Sequence, residues 1–184
     1  MTELNSSIEE NIDIIRNRIE KAAAKSGRNA AEIQLMAVTK KKSIDVIQAL
    51  FDGGIRSFGE NYPDETQTKQ EKFDALRPEI ELSMIGHLQS RKAELVCKLF
   101  DSYHALNRLS VANKLNKTLL SMEKKLPVMI EINIGNEPNK HGWVVDSEED
   151  KQFFYQEIAK LLQLSNMNVY GLMALPPYFD DPEL

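Results

Sequence analysis

"VMIEINI", residues 128–134, is the stretch on which the fold turns. In an extended strand, successive side chains point to opposite faces. Val128, Ile130, Ile132 and Ile134 therefore share one face, and Met129, Glu131 and Asn133 the other. A doubly wound sheet carries helices on both faces and asks for two apolar faces. A strand with one polar face suits a barrel, whose lumen can hold polar groups near a site. The stretch favours the barrel over the open sheet.

Outward from it the chain alternates. Before it, "RLSVANKLNKTLLSMEKK" reads as a helix with Leu109, Leu115, Leu119 and Met122 on or near one face. After it, Asp146 or Ser147 caps a helix through "EEDKQFFYQEIAKLLQLS", with Phe154, Ile158, Leu161 and Leu162 facing inward, and "VYGLMALPP" follows as a strand. Further upstream, "IQLMAV", "IRSFGEN", "IELSMIGHL" and "DSYHAL" read as strands. "SIDVIQALFDGG" is a helix capped by Ser43 and stopped by Gly53-Gly54, "TKQEKFDALRP" is helical, and "SRKAELVCKLF" is a helix. The chain opens on a helix: Ser6 and Ser7 each have a glutamate three positions on, a capping-box pattern, Ile8, Ile12, Ile15 and Ile19 form one stripe, and Gly27 is the stop. The tail "YFDDPEL" is loop-like. Strand-helix alternation without hairpin signals predicts an α/β fold with a parallel sheet.

Composition sets the bounds. At 184 residues folding buries roughly 70% of the unfolded surface, enough to need no staples. A net charge of −5 argues against a nucleic-acid partner. The single cysteine, Cys97, allows no internal disulfide, and within "ELVCKLF" it reads as core. No apolar run reaches membrane-spanning length, and the polar N-terminus is unlike a signal peptide. The expectation is a cytoplasmic globular protein without a membrane partner.

Several strands end in polar groups: Lys40, Asn61, His87, His104 and Asn133. In parallel α/β folds the carboxyl ends of the strands gather on one rim, where ligands bind. Lys40 is the sharpest candidate. Partial desolvation at a strand tip, with Lys41 and Lys42 alongside, favours its neutral amine, the nucleophile of Schiff-base chemistry. A lysine triplet also reads as a solvated loop, and both readings stand on the residues alone. His87 and His104 lack the spacing of a metal site. Lys140, in "NKHGW", meets a phosphate or water. Asn61 follows Gly59-Glu60, where a glycine lets a ligand approach closely.

"AVTK", "FGENY", "IGHLQSRK", "EINIG" followed by "NKHGW", and "GLMALPP", in that order, resemble the pyridoxal phosphate homeostasis proteins of the YggS/PROSC type, single-domain relatives of the alanine racemase barrel domain. The resemblance runs from about Ile33 to Pro177. It implies a (β/α)8 TIM-barrel type fold with an N-terminal helix, here truncated to about six strands, with residues 1–184 as a single domain. It implies that Lys40 forms the internal aldimine with pyridoxal 5′-phosphate (PLP), and that Asn61, His87, Asn133 and Met173 surround the cofactor. Lys140 matches a basic loop position. Arg91 stands where asparagine is usual, and His141 where a small residue is common. Nothing after Pro177 matches the last two strands, which hold the phosphate and face the pyridine nitrogen in relatives. The expectation is therefore a fragment or an interrupted gene, with weakened phosphate anchoring.

The function so implied is a non-catalytic PLP carrier in intracellular PLP homeostasis, a monomer with PLP-dependent apoenzymes as partners. A racemase-like enzyme is the alternative, but it needs a second base on the opposite cofactor face. A Schiff-base aldolase and an inert truncation product are the remaining readings.

Overall fold

The computed structural model describes residues 3–177, so the tail "YFDDPEL" lies outside the described residues. The elements in chain order are α1 (Glu3–Lys25), β1 (Met36–Val38), α2 (Ile44–Asp52), β2 (Ser57–Glu60), α3 (Pro63–Thr68), α4 (Gln70–Leu76), β3 (Glu81–Met84), α5 (Ala93–Leu99), β4 (Ser102–Leu106), α6 (Leu109–Ser121), β5 (Leu126–Ile132), α7 (Glu148–Leu161) and β6 (Met167–Ala174). Single 3-10 turns occupy Ala30–Glu32 and Ser90–Lys92. The six strands form one sheet in the order β1-β2-β3-β4-β5-β6. Pairing is parallel between β1 and β2, and from β3 through β6. The alternation read from the sequence is thus an α/β parallel sheet, and its order is open, with β1 and β6 as end strands.

The chain divides into two compact units. One holds the chain to Glu60 together with Glu65–Leu82, and the other holds Asn61–Asp64 and the chain from Ser83.

In the first unit, Met36, Ala37 and Val38 pair with Ser57, Phe58 and Gly59. Ile47, Ala49, Ile55, Phe58, Phe73 and Leu76 form the core. The Phe58 and Phe73 rings meet edge to face at 6.1 Å. Gly53 ends α2 where a Cβ would lie 2.7 Å from Ile12 Cδ1, so glycine here admits the buried Ile12 of α1. Several local expectations change. The first helix already begins at Glu3, so Ser6 and Ser7 lie inside it rather than at its cap. A nucleated helix gains a hydrogen bond per added residue, and serine is only mildly unfavourable within it. Of the isoleucine stripe, Ile12 is buried and Ile15 is exposed. Ser43 holds the N-cap position with extended backbone but makes no side-chain cap bond. The strand in "IQLMAV" is only Met36–Val38. The helix α3 was not foreseen, although Pro63 at its first position is the expected start signal.

In the second unit, β5 pairs with β6 from Leu126↔Met167 to Ile132↔Ala174, with a register shift after Val128. Burial on β5 alternates as read: Leu126, Val128, Ile130 and Ile132 are buried, while Met129 and Glu131 are half-buried. Ile134 breaks the pattern, because it lies past the strand and is exposed. Val96, Cys97 and Leu99 of α5 and Val111, Ala112, Leu115 and Leu119 of α6 are buried. Burial pushes the Cys97 thiol up to about 11, as fits a core cysteine. Ser147, not Asp146, caps α7 through a reciprocal box with Asp150. Leu161 is buried and Leu162 exposed, since consecutive helical residues diverge by a wide angle. Among the described residues no helix is long and apolar enough to cross a membrane.

The Ser147 hydroxyl accepts from Asp150 N–H at 3.1 Å, and the Asp150 carboxylate accepts from Ser147 N–H at 3.0 Å. Ser147→Ala removes one half of this box and should cost about 1 kcal/mol. A lowered urea midpoint with an unchanged m-value is the expected readout.

Candidate functional site

β1 ends at Val38, Thr39 still donates its N–H to Gly59 O at 3.0 Å, and Lys40 and Lys41 then turn the chain toward α2. Lys41 adopts φ of 59°. Lys40 is exposed, so the partial desolvation expected at the strand tip is not found. The turn takes the residue past the apolar strand before its side chain begins.

What lies beside that turn is buried. Glu60, the last residue of β2, is 0% exposed. Its Oε1 accepts from Thr39 Oγ1 at 2.8 Å and from Lys69 Nζ at 3.0 Å. Lys69, 7% exposed, also donates to Thr39 O at 3.1 Å and pairs with Glu65 at 2.6 Å. Glu65 Oε1 in turn accepts the N–H of Lys41 at 2.6 Å. The residues on both sides of Lys40 are thereby tied to one buried cluster. Burial works to raise the Glu65 carboxyl, but Lys69 and the Lys41 N–H outweigh it and hold it below the usual carboxylate range. Sequence reasoning missed Glu60, Glu65 and Lys69. The Glu65–Lys69 spacing of four was the available signal, and it looks like an ordinary surface helix pair.

In the second unit, Asn61 and His87 share a cavity of about 330 Å³ with Tyr62, Gly86, Leu88 and Lys92. Asn61 Oδ1 is buried with no hydrogen-bond partner among the described residues. Gly86 must be glycine, because a Cβ there would sit 2.3 Å from Asn61 O. Lys92 is ion-paired with Asp64.

His87 is exposed to solvent, and three side chains approach its ring. Asn107 Nδ2 lies 3.1 Å from its Nδ1, Arg108 Nη1 lies 3.4 Å from its Nε2, and the His141 ring stacks on it at 4.0 Å. Burial, followed by the nearby His141 and Arg108, pushes the His87 pKa down. Asn107 Nδ2 also donates to Glu131 Oε2 at 3.1 Å. Burial holds the Glu131 carboxyl above the usual range despite that bond.

Asn133 follows β5 directly. Its side chain donates to Glu137 O at 3.0 Å and accepts from Glu137 N–H at 3.2 Å, so its amide shapes the loop after β5. Lys140 in that loop pairs with Glu137 at 2.6 Å and donates to Leu175 O at 3.1 Å. Met173, half-buried in β6, stands in register with Glu131. His104 is not at a strand end: it lies inside β4, with Nε2 at 2.6 Å from Tyr170 OH and 3.1 Å from Ser102 Oγ. The polar residues that follow β4 are Asn107 and Arg108, which the sequence reading passed over. Among the described residues no group of three or more His, Cys, Asp or Glu could hold a metal ion.

Residues 6–183 match the family model for the alanine racemase N-terminal domain. The pyridoxal phosphate homeostasis protein of Vibrio alginolyticus is 36% identical over 181 residues, covering 97% of this chain and 75% of the relative. That of Escherichia coli K12 is 37% identical over 172 residues, covering 93% and 71%. The chain belongs to this family. Family membership accounts for the motif order, and solved structures agree. PipY of Synechococcus elongatus, with PLP bound, superposes at a TM-score of 0.70 with 26% identity over 86% of this chain and 70% of PipY. A Bifidobacterium adolescentis protein superposes at 0.85, with 23% identity over 98% of this chain and 74% of that one. Alanine racemase of Clostridium difficile 630 does so at 0.64, with 16% identity over 90% of this chain and 40% of that one. At these identities the last two support the alanine racemase-like barrel fold alone.

Lys69→Met leaves the Glu60 carboxylate buried without its cation and should cost about 3–5 kcal/mol in urea unfolding. Glu65 has its carboxyl pKa depressed in the fold. Its contribution is therefore complete above the unfolded-state pKa and is lost as pH falls through the folded-state value. Glu65→Gln should accordingly flatten the acid limb of the stability-pH profile.

Proposed function

We propose that this chain is a PLP-binding protein that holds the cofactor covalently on Lys40 and serves intracellular PLP homeostasis. The observation that carries the reading is the similarity to PipY, a relative solved with PLP bound. When bound, PLP supplies an aldehyde that condenses with a primary amine and releases water. Lys40 offers that amine on a turn whose flanking residues are held by the Glu60–Lys69–Glu65 cluster. Its exposure leaves it open to a cofactor arriving from solvent.

The residues present fit such a ligand. The unpartnered Asn61 Oδ1 calls for a donor. PLP carries a ring hydroxyl and a ring nitrogen that takes up a proton. Asn61 and His87 are assigned to the cofactor's surroundings through their shared cavity, and Asn133 and Met173 through their places at the ends of β5 and β6. The amide of Asn133 acts by holding the loop after β5.

The proposal treats residues 1–184 as one cofactor-binding domain without committed catalysis. It places the protein in the cytoplasm, as a monomer that passes PLP to PLP-dependent apoenzymes and needs neither nucleic acid nor membrane.

PLP added to the purified protein should give a yellow adduct. Borohydride should then fix the cofactor mass on the peptide containing Lys40, and Lys40→Ala should stay colourless. Equal colour in Lys40→Ala would overturn the assignment. Interconversion of the alanine enantiomers by wild type would overturn the carrier role.

A further inference from the structure

The loop between β5 and α7 is strapped to three strand ends. Toward β5, Asn133 and Glu137 exchange the bonds described above, and Trp143 N–H donates to Glu131 O at 3.0 Å. Toward β6, Lys140 Nζ donates to Leu175 O and Pro176 O. Toward β3, the contact is the ring stack of His141 on His87, with planes 23° apart. Gly142 closes the strap at φ of 111°, where a Cβ would lie 2.8 Å from Asn133 N. Among these attachments only the histidine pair belongs to a residue type that changes charge in mild acid.

The surroundings of His87 select its protonation state. A charged imidazole has two N–H groups and no acceptor. Here one ring nitrogen faces the Asn107 amide NH2 and the other faces the Arg108 guanidinium. Facing two donors, the exposed ring is better accommodated in its neutral form, which keeps an acceptor nitrogen. Arg108, from the β4–α6 junction, opposes a charge on His87. Glu131 of β5 faces His141, which works to lower the Glu131 carboxyl against the larger effect of burial. Lys140 is paired with Glu137 on the same loop, and Lys92 with Asp64 beside the His87 cavity. An acidified pair therefore places two cations in stacking contact beside a third, Arg108.

We propose that His141 is a positioning residue: stacked on His87, it holds the neutral His87 ring at the rim of the Asn61 cavity, and protonation of the pair in mild acid releases both the ring and the strap. The cofactor consequence rests on the function proposed above, whereas the strap itself does not.

Trp143, the chain's single tryptophan, lies two residues beyond His141 and is buried. Its acrylamide quenching in the cofactor-free protein reports strap release. Wild type should become more quenchable between about pH 7.5 and about pH 5.5, the range in which imidazoles titrate. His141→Phe keeps a ring without a charge and should show low quenching at both pH values. His141→Ala should show high quenching at both. The His87 imidazole resonances should keep their neutral-pH position in His141→Phe and lose it in His141→Ala. With PLP, wild type should lose about tenfold more affinity than His141→Phe over the same range, the equivalent of a one-unit pKa difference. Quenching in wild type that does not change with pH, or a His141→Ala protein indistinguishable from wild type, overturns the proposal. If PLP does not bind at all, the functional reading fails while quenching and resonances still decide the strap.

Discussion

The first unit depends on a carboxylate that water does not reach. Burying Glu60 carries a desolvation cost of several kcal/mol unless a cation and hydrogen bonds offset it. Lys69 and the Thr39 hydroxyl do so at Oε1, and Lys69 satisfies the Thr39 carbonyl as well, while Oε2 is buried with no hydrogen-bond partner among the described residues. The cluster thus joins the end of β2, the exit of β1 and the segment before α4. Breaking any one tie leaves a buried charge or a buried polar group unpaired. The Lys40 side chain takes no part in this cluster, so the backbone around it is held while its side chain stays exposed.

The second unit reaches a comparable result by different means. Its polar groups range from the exposed His87 to the half-buried Glu131, and the buried side-chain amides of Asn107 and Asn133 make the links. Asn107 joins His87 to Glu131, and Asn133 joins β5 to its own loop. An amide can donate and accept at once without a net charge, so such links avoid the desolvation cost of an ion pair. The arrangement leaves Asn61 Oδ1 without a partner among the described residues, beside a cavity. Buried polar atoms are seldom left so, and the exceptions call for an explanation such as a ligand.

How far the sequence could be read depended on whether a signal was periodic or tertiary. The two-residue alternation of β5 is local and was legible, and the cap of α7 was narrowed to Asp146 or Ser147, while the reciprocal partner Asp150 was not read. Ile134 and Leu162 failed because periodicity does not say where an element stops or which of two adjacent leucines meets the core. His104 was placed at a strand end for the same reason. Lys69 was illegible, since a lysine four residues after a glutamate in a polar stretch becomes buried only when β1 and β2 are already in place. Asn107 and Arg108 gain meaning only from His87, about twenty residues earlier in the chain, whose approach no spacing rule encodes. Motif order supplied what local physics could not, because a family pattern already contains such tertiary information.

The exposure of Lys40 bears on which chemistry the proposed site serves. A committed PLP enzyme gains from excluding water, which strengthens its electrostatics and protects reactive intermediates. A carrier gains from the opposite arrangement, because the bond it forms must also be undone by water or by another amine. An exposed lysine on a turn fixed from beneath meets that requirement: the rigid base sets where the amine stands, and the open side leaves the cofactor reachable by a recipient. Reactivity then comes from position more than from a shielded environment. The lysine triplet follows the same logic, since Lys41 secures the turn through its backbone N–H while its charged neighbours keep the turn solvated.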